Sequence, residues 1–290
     1  MTLIDCLLNV AALLLWVGWR AERFDPFHQA TPATLIGTLR RAEPPLLKRW
    51  HFPVALLGLL FFRAVLYREL GPARDWTARL DLVATSLSFQ SDFFQRILLY
   101  SALSFAWLLV VFYFWLVLIS LLSPGGADFF LPRLARTQLG RVERWPVVVR
   151  VLLPFVAGAG LWWLLSWPLA AWGFLPGPVA EPNRLAQAAL VGLGAYVAWK
   201  YLLAGLLTLH LVNKYVYFGR HALWTYVNAV SGRLLAPLAS LPLRAGKVDL
   251  APVVAVGLIF LLARVAEAGL NVFGWFHIPG LPELYQHTLR

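Results

Sequence analysis

Arg63 and Arg264 each sit inside an otherwise apolar run. A charge at the centre of a bilayer costs about 2.5–3.5 kcal/mol, so such a residue needs a partner, a snorkelling route or a task in ion or substrate passage. Asp5 is the candidate counter-charge for Arg63, and Glu267, one helical turn on, is the candidate for Arg264. Lys200, beside Tyr196 and Trp199, is a third intramembrane cation. Its stem lets it snorkel, and in a bundle interior it could bind a headgroup phosphate or a carboxylate. His51 and His210 are haem-ligand types. No Cys-x-x-Cys-His stretch accompanies them, and no second intramembrane histidine stacks with either. The single cysteine, Cys6, excludes an internal disulfide and a cysteine-based cluster within one chain. Metalloprotease, nucleophile-elbow, phosphate-loop and dinucleotide motifs are all absent. Acidic residues are scarce within the apolar runs, which argues against a proton relay. The chain therefore reads as a non-enzyme with no cofactor and no metal.

Those residues must be positioned by membrane helices. Sixty per cent of the 290 residues are hydrophobic and 13 per cent are charged, with a mean hydropathy of +0.69. That is too little charge for a water-facing surface of this size. The expected fold class is all-α, a polytopic integral membrane protein. Six spans are expected, over about 3–19, 52–67, 97–122, 147–172, 185–211 and 250–270. Residues 71–96 form an extracytoplasmic loop, in which 79–89 could make a β-hairpin or a re-entrant stretch. Residues 97–184 form a central hairpin. The tail 273–290, with Trp275, Phe276 and Tyr285, is expected at an interface.

The net charge of +11 gathers between the apolar runs. Loops after spans one, three and five carry Arg20, Arg23, Arg40, Arg41, Lys48 and Arg49; Arg133, Arg136, Arg141 and Arg144; and Lys214, Arg220, Arg233, Arg244 and Lys247. The opposite side has Arg68, Arg74, Arg79, Arg96 and Arg184. Fifteen against five places both termini outside the cytoplasm. Anionic lipid headgroups on the cytoplasmic side explain the excess better than nucleic acid does.

The stretch Trp224–Arg264 reads as an amphipathic helix lying on the membrane and feeding the sixth span. Its apolar face would be Trp224, Val227, Leu234, Leu235, Leu238 and Leu241. A fainter amphipathic segment, with Leu35, Ile36, Leu39 and Ala42, precedes span two. Pro53, Gly58 and Phe61 repeat as Pro252, Gly257 and Phe260, each set followed by an arginine, which suggests a parallel repeat of 1–70 and 185–272. Asp249 at the start of span six suits a helix N-terminus. Asn228 reads as a helix-boundary polar contact.

Tyr226-Val-Asn228, Arg233-Leu-Leu-Ala-Pro237-Leu, Leu241-Pro242 and Val248-Asp249-Leu-Ala-Pro252 together resemble the YggT family of small bacterial and plastid membrane proteins. The resemblance covers about 200–270, with 1–67 as a degenerate copy that keeps Asp25-Pro26-Phe27 but has His51-Phe52 where the family has its aspartate. Asn228, Arg233, Pro237, Asp249, Pro252 and Gly257 are the positions that carry it. The resemblance implies a bacterial inner-membrane protein without an agreed activity, whose relatives are linked to osmotic tolerance, potassium uptake, cell division and cytochrome assembly. Two functions follow as expectations. One is organisation or assembly of envelope complexes through protein partners or self-association. The other is a small channel or transporter.

Overall fold

The computed structural model describes residues 2–21, 50–71, 77–89, 93–123, 130–175, 181–216, 222–238, 240, 242–245, 248–272 and 276–289. The amphipathic segment expected around Leu35–Ala42 lies outside them, as do Gly246 and Lys247. The described chain is mostly helical and falls into two compact units, Met1–Ala78 with Phe89–Val110, and Arg79–Ser88 with Val111–Arg290.

The first unit is built on α1 (Thr2–Ala21), α2 (His51–Leu70) and the opening half of α3 (Phe94–Leu122). Apolar residues at helical spacing pack Ala12, Leu56 and Phe105 together, with Leu15, Trp16, Leu59 and Leu108 around them. α1 and α2 run antiparallel. Near one end Asp5 meets Arg63, and near the other the Phe52 ring lies against Gly18.

The second unit takes the remainder of α3, then α4 (Phe130–Leu139) and a 3₁₀ turn (Gly140–Arg144). It continues through α5 (Val147–Ala171), α6 (Glu181–Gly194), a 3₁₀ segment (Ala195–Ala198) and α7 (Trp199–Tyr215). α8 (Ala222–Leu235), α9 (Ala251–Ala268) and the short α10 (Leu281–His287) complete its helices. β1 (Ala78–Asp81) and β2 (Ser86–Phe89) form a hairpin where a hairpin or a re-entrant stretch was expected, two-residue strands β3 (Arg244–Ala245) and β4 (Val248–Asp249) lead into α9, and β5 (Leu270–Val272) with β6 (Phe276–Ile278) follows it. The tip of the β1–β2 hairpin puts Val83 against Gly194.

Among the described residues four helices are long and apolar enough to cross a membrane: α3, α5, the continuous Glu181–Tyr215 stretch and α9. α5 shows why. Val148, Val156 and Leu164 are each more than 60% exposed, an arrangement suited to lipid and unfavourable in water. Exposed Trp145 and Trp167 bracket this face, about 33 Å apart along the helix, close to the hydrocarbon thickness.

Four expectations need correction. The arginine-rich loop before span four is a helix, α4, because Leu131, Leu134, Ala135 and Leu139 share one face and pack on α3 and α8. The segment from Trp224 is helical only to Leu235, with a 3₁₀ turn over Ala236–Leu238 where Pro237 interrupts the ladder. Of its expected apolar face, Val227 is buried and Leu234 packs against the core of the second unit, where Tyr226 and Val230 join Leu116, Ile119 and Leu206; Leu241 lies outside the described residues. Tyr285 in the tail is 3% exposed and packs edge-on to Trp162, so it is not an interfacial residue.

The fourth correction concerns span five. Glu181–Tyr215 is 35 residues long, roughly 52 Å at helical rise. Its partners divide it. Gly192 lies against Phe155 of α5, and the Tyr196 hydroxyl donates to the Val151 carbonyl at 2.7 Å. Beyond that point Lys200 and Lys214 pair with Glu267 and Asp249 at the two ends of α9. The first turns of α5 and the last turn of α9 thus meet this helix four residues apart. At the junction the backbone tightens to 3₁₀, and the Ala198 carbonyl accepts from the Trp115 indole at 2.8 Å.

Candidate functional site

α1, α2 and α3 each bring a polar pair at i, i+4 to one place in the first unit: Asp5 and Asn9, Arg63 and Tyr67, Tyr100 and Ser104. Residues at that spacing share a helix face. The Arg63 side chain is 1% exposed. Its guanidinium donates to Asp5, to Asn9 Oδ1 at 2.8 Å and to Ser104 Oγ at 2.9 Å. The Tyr67 hydroxyl donates to the same Asp5 oxygen at 2.5 Å. The Tyr67 and Tyr100 rings each lie 5.4 Å from the guanidinium carbon, within cation–π reach. Ser101 donates to the Leu60 carbonyl at 2.9 Å and ties α3 to α2 beside the cluster. Arg63 Nε is buried without a partner. The expected Asp5–Arg63 pair is therefore present. Asn9, Tyr67, Tyr100 and Ser104 were not foreseen, although their shared i, i+4 spacing in three apolar helices was visible.

Arg264 behaves differently, although it follows the same Pro-Gly-Phe pattern. Arg63 is ten residues after Pro53 and Arg264 twelve after Pro252. Two residues turn a helix by about 200°, so Arg264 comes out on the exposed face of α9. Glu267 lies on another face and pairs with Lys200, not with Arg264. Lys200 also stands 4.9 Å over the Tyr201 ring. Glu267 borders a cavity of about 230 Å³ that Glu283 and Gln286 also line. Glu267→Ala is expected to lower stability by roughly 1–2 kcal/mol, the carboxylate, 34% exposed, being partly screened. The exchange Lys200→Glu/Glu267→Lys is expected to restore most of it in thermal unfolding in detergent. An exchange no better than the single variant would show that the pair contributes nothing.

The other end of the α7–α9 pair holds the residues singled out by resemblance. Asp249 Oδ1 accepts from the Ala251 amide at 3.0 Å and caps α9, while Oδ2 takes Lys214 at 2.7 Å. Pro252 occupies the first turn and is buried. No atom lies within 4 Å of where a Gly257 Cβ would be. Asn228 Oδ1 and His210 Nδ1 are 2.8 Å apart, so that histidine is engaged with an amide. Arg233 donates to the carbonyls of Leu122 and Ser123, where α3 ends with free acceptors. Burial raises the Tyr226 phenol above its ordinary pKa, and its contact with Ser123 offsets part of that.

Arg150, one turn inside α5, was also missed. Its Nη1 donates to Ser120 Oγ at 2.7 Å and lies 3.4 Å from the Ser120 carbonyl. Among the described residues no group of three or more metal-ligand side chains converges. No family model, curated protein or solved structure matches this chain.

Proposed function

We propose that this chain is a non-enzymatic, six-span membrane protein of the YggT type, and that it organises or assembles envelope complexes from the bacterial inner membrane. Its termini face away from the cytoplasm, and α4, α8 and their connecting turns form the basic cytoplasmic face. Two features support a parallel repeat of α1–α2 and α7–α9. Each pair is antiparallel and carries an ion pair near the start of its first helix, Asp5–Arg63 and Lys200–Glu267. The third and eleventh residues after the shared proline are buried in both copies, Leu56 and Ala64 in one, Ala255 and Ala263 in the other.

The observation that carries the assembly reading is the closure of the buried charges. Arg63 is surrounded by Asp5, Asn9 and Ser104 with its side chain sealed from solvent. A conducting path would need charges that face water and exchange partners. A small channel is the second reading, and the cavity beside Glu267 favours it. Potassium flux into proteoliposomes separates the two. Flux no faster than in empty liposomes is the expected result. Flux that falls in Lys200→Met or Glu267→Gln would overturn the assembly reading and establish the channel.

A further inference from the structure

An exposed basic ridge stands at the foot of α5. α4 spends its apolar side on the core, through Leu134 and Ala135, so Arg133 and Arg136 face outward. The 3₁₀ turn adds Arg141 and Arg144, both exposed. Glu143 is the only acid in this segment, and Arg136 takes it at 3.2 Å. Four arginines against one glutamate leave +3 over residues 130–146.

The ridge then changes character within four residues. After Arg144 come Trp145, 44% exposed, Pro146, and Val147 and Val148, 58% and 69% exposed. A tryptophan between arginines and bare valines marks the level where headgroups give way to acyl chains. Arg150 lies one turn deeper, anchored by Nη1 on Ser120, with Nε buried and unpartnered.

We infer that this ridge is a docking site for anionic phospholipid headgroups. Arg141 and Arg144 receive the phosphate, and Arg150 supplies a third, deeper guanidinium. Guanidinium groups suit phosphate oxygens because they donate in a planar fork. The continuity of the ridge with the apolar face of α5 selects lipid over a soluble polyanion, which would have to sit against bare valines. The inference rests on the proposed reading that α5 crosses the membrane.

The test uses the full chain in equimolar phosphatidylcholine and phosphatidylglycerol vesicles, extracted as polymer-bounded discs whose lipid ratio is measured. Wild type is expected to enrich phosphatidylglycerol. Arg141→Gln/Arg144→Gln is expected to reduce the enrichment at least about fivefold, and Arg141→Lys/Arg144→Lys to keep most of it. Arg184→Gln, at the far end of the unit beneath Trp167, is the control and should leave the ratio unchanged. Equal enrichment in wild type and the glutamine variant would overturn the site. So would an equal loss in Arg184→Gln, or capture of RNA or an acidic protein without lipid enrichment. Potassium flux with enrichment intact would sink the assembly reading alone, whereas absent flux with enrichment lost from no variant would sink the lipid site alone.

Discussion

Arg63→Ala is expected to destabilise the first unit by about 3–5 kcal/mol, because removing one partner of a buried ion pair strands the other. Asp5 would keep only the Tyr67 hydroxyl, and Ser104 and Asn9 would lose their common donor. A void would add to the cost, since the side chain fills space between the Tyr67 and Tyr100 rings. The double variant Asp5→Leu/Arg63→Met removes both charges while keeping volume. It should unfold within about 1–2 kcal/mol of wild type, as apolar replacements of buried pairs commonly do. Denaturant titration in mixed micelles, followed by tryptophan fluorescence, reads both. A double variant as unstable as Arg63→Ala would mean that the cluster matters for shape rather than charge.

Gly192→Leu is the second large effect. A Cβ at Gly192 would lie 2.7 Å from the Phe155 carbonyl oxygen and 3.1 Å from the Ala159 Cβ. Gly158 answers it from α5, where an added Cβ would lie 3.2 Å from the Gly192 Cα. Small residues facing each other let two membrane helices approach closely, and the resulting packing holds them together. Leucine must therefore push α5 and α6 apart, at about 2–3 kcal/mol. Gly205→Ala in α7, where nothing lies within 4 Å, should be neutral or stabilising by up to about 1 kcal/mol. Thermal unfolding in detergent checks both. Equal midpoints for the two variants would show that the α5–α6 crossing carries no packing energy.

The helical architecture was legible because long apolar runs admit little else: the six expected segments are helical, four of them long and apolar enough to cross a membrane, and the 79–89 hairpin forms where residues alternate. Arg63 with Asp5 was legible for a similar reason, since one buried cation seeks one of very few acids. The Arg264–Glu267 pairing was misread because their one-turn spacing drew attention to order along the chain, whereas facing depends on angle around the helix. Glu267 was assigned within its own helix, while its partner Lys200 is distant in sequence. α8 looked like a surface helix for want of tertiary information. An amphipathic stripe states that something apolar covers it, and here protein does so, through Leu116 and Leu206. α4 escaped notice because its arginines outweigh its leucines in any window average.

The two ion pairs also constrain biosynthesis. Asp5 leaves the ribosome 58 residues before Arg63, and Lys200 leaves it 67 residues before Glu267. If α1, α2, α7 and α9 cross the membrane as proposed, each first-made helix waits with an unmatched charge, which costs about 2.5–3.5 kcal/mol in hydrocarbon. α1 and α7 are thus poor candidates for release into lipid one at a time. They should linger at the translocon until α2 and α9 arrive, so the chain is delivered to the membrane in pairs.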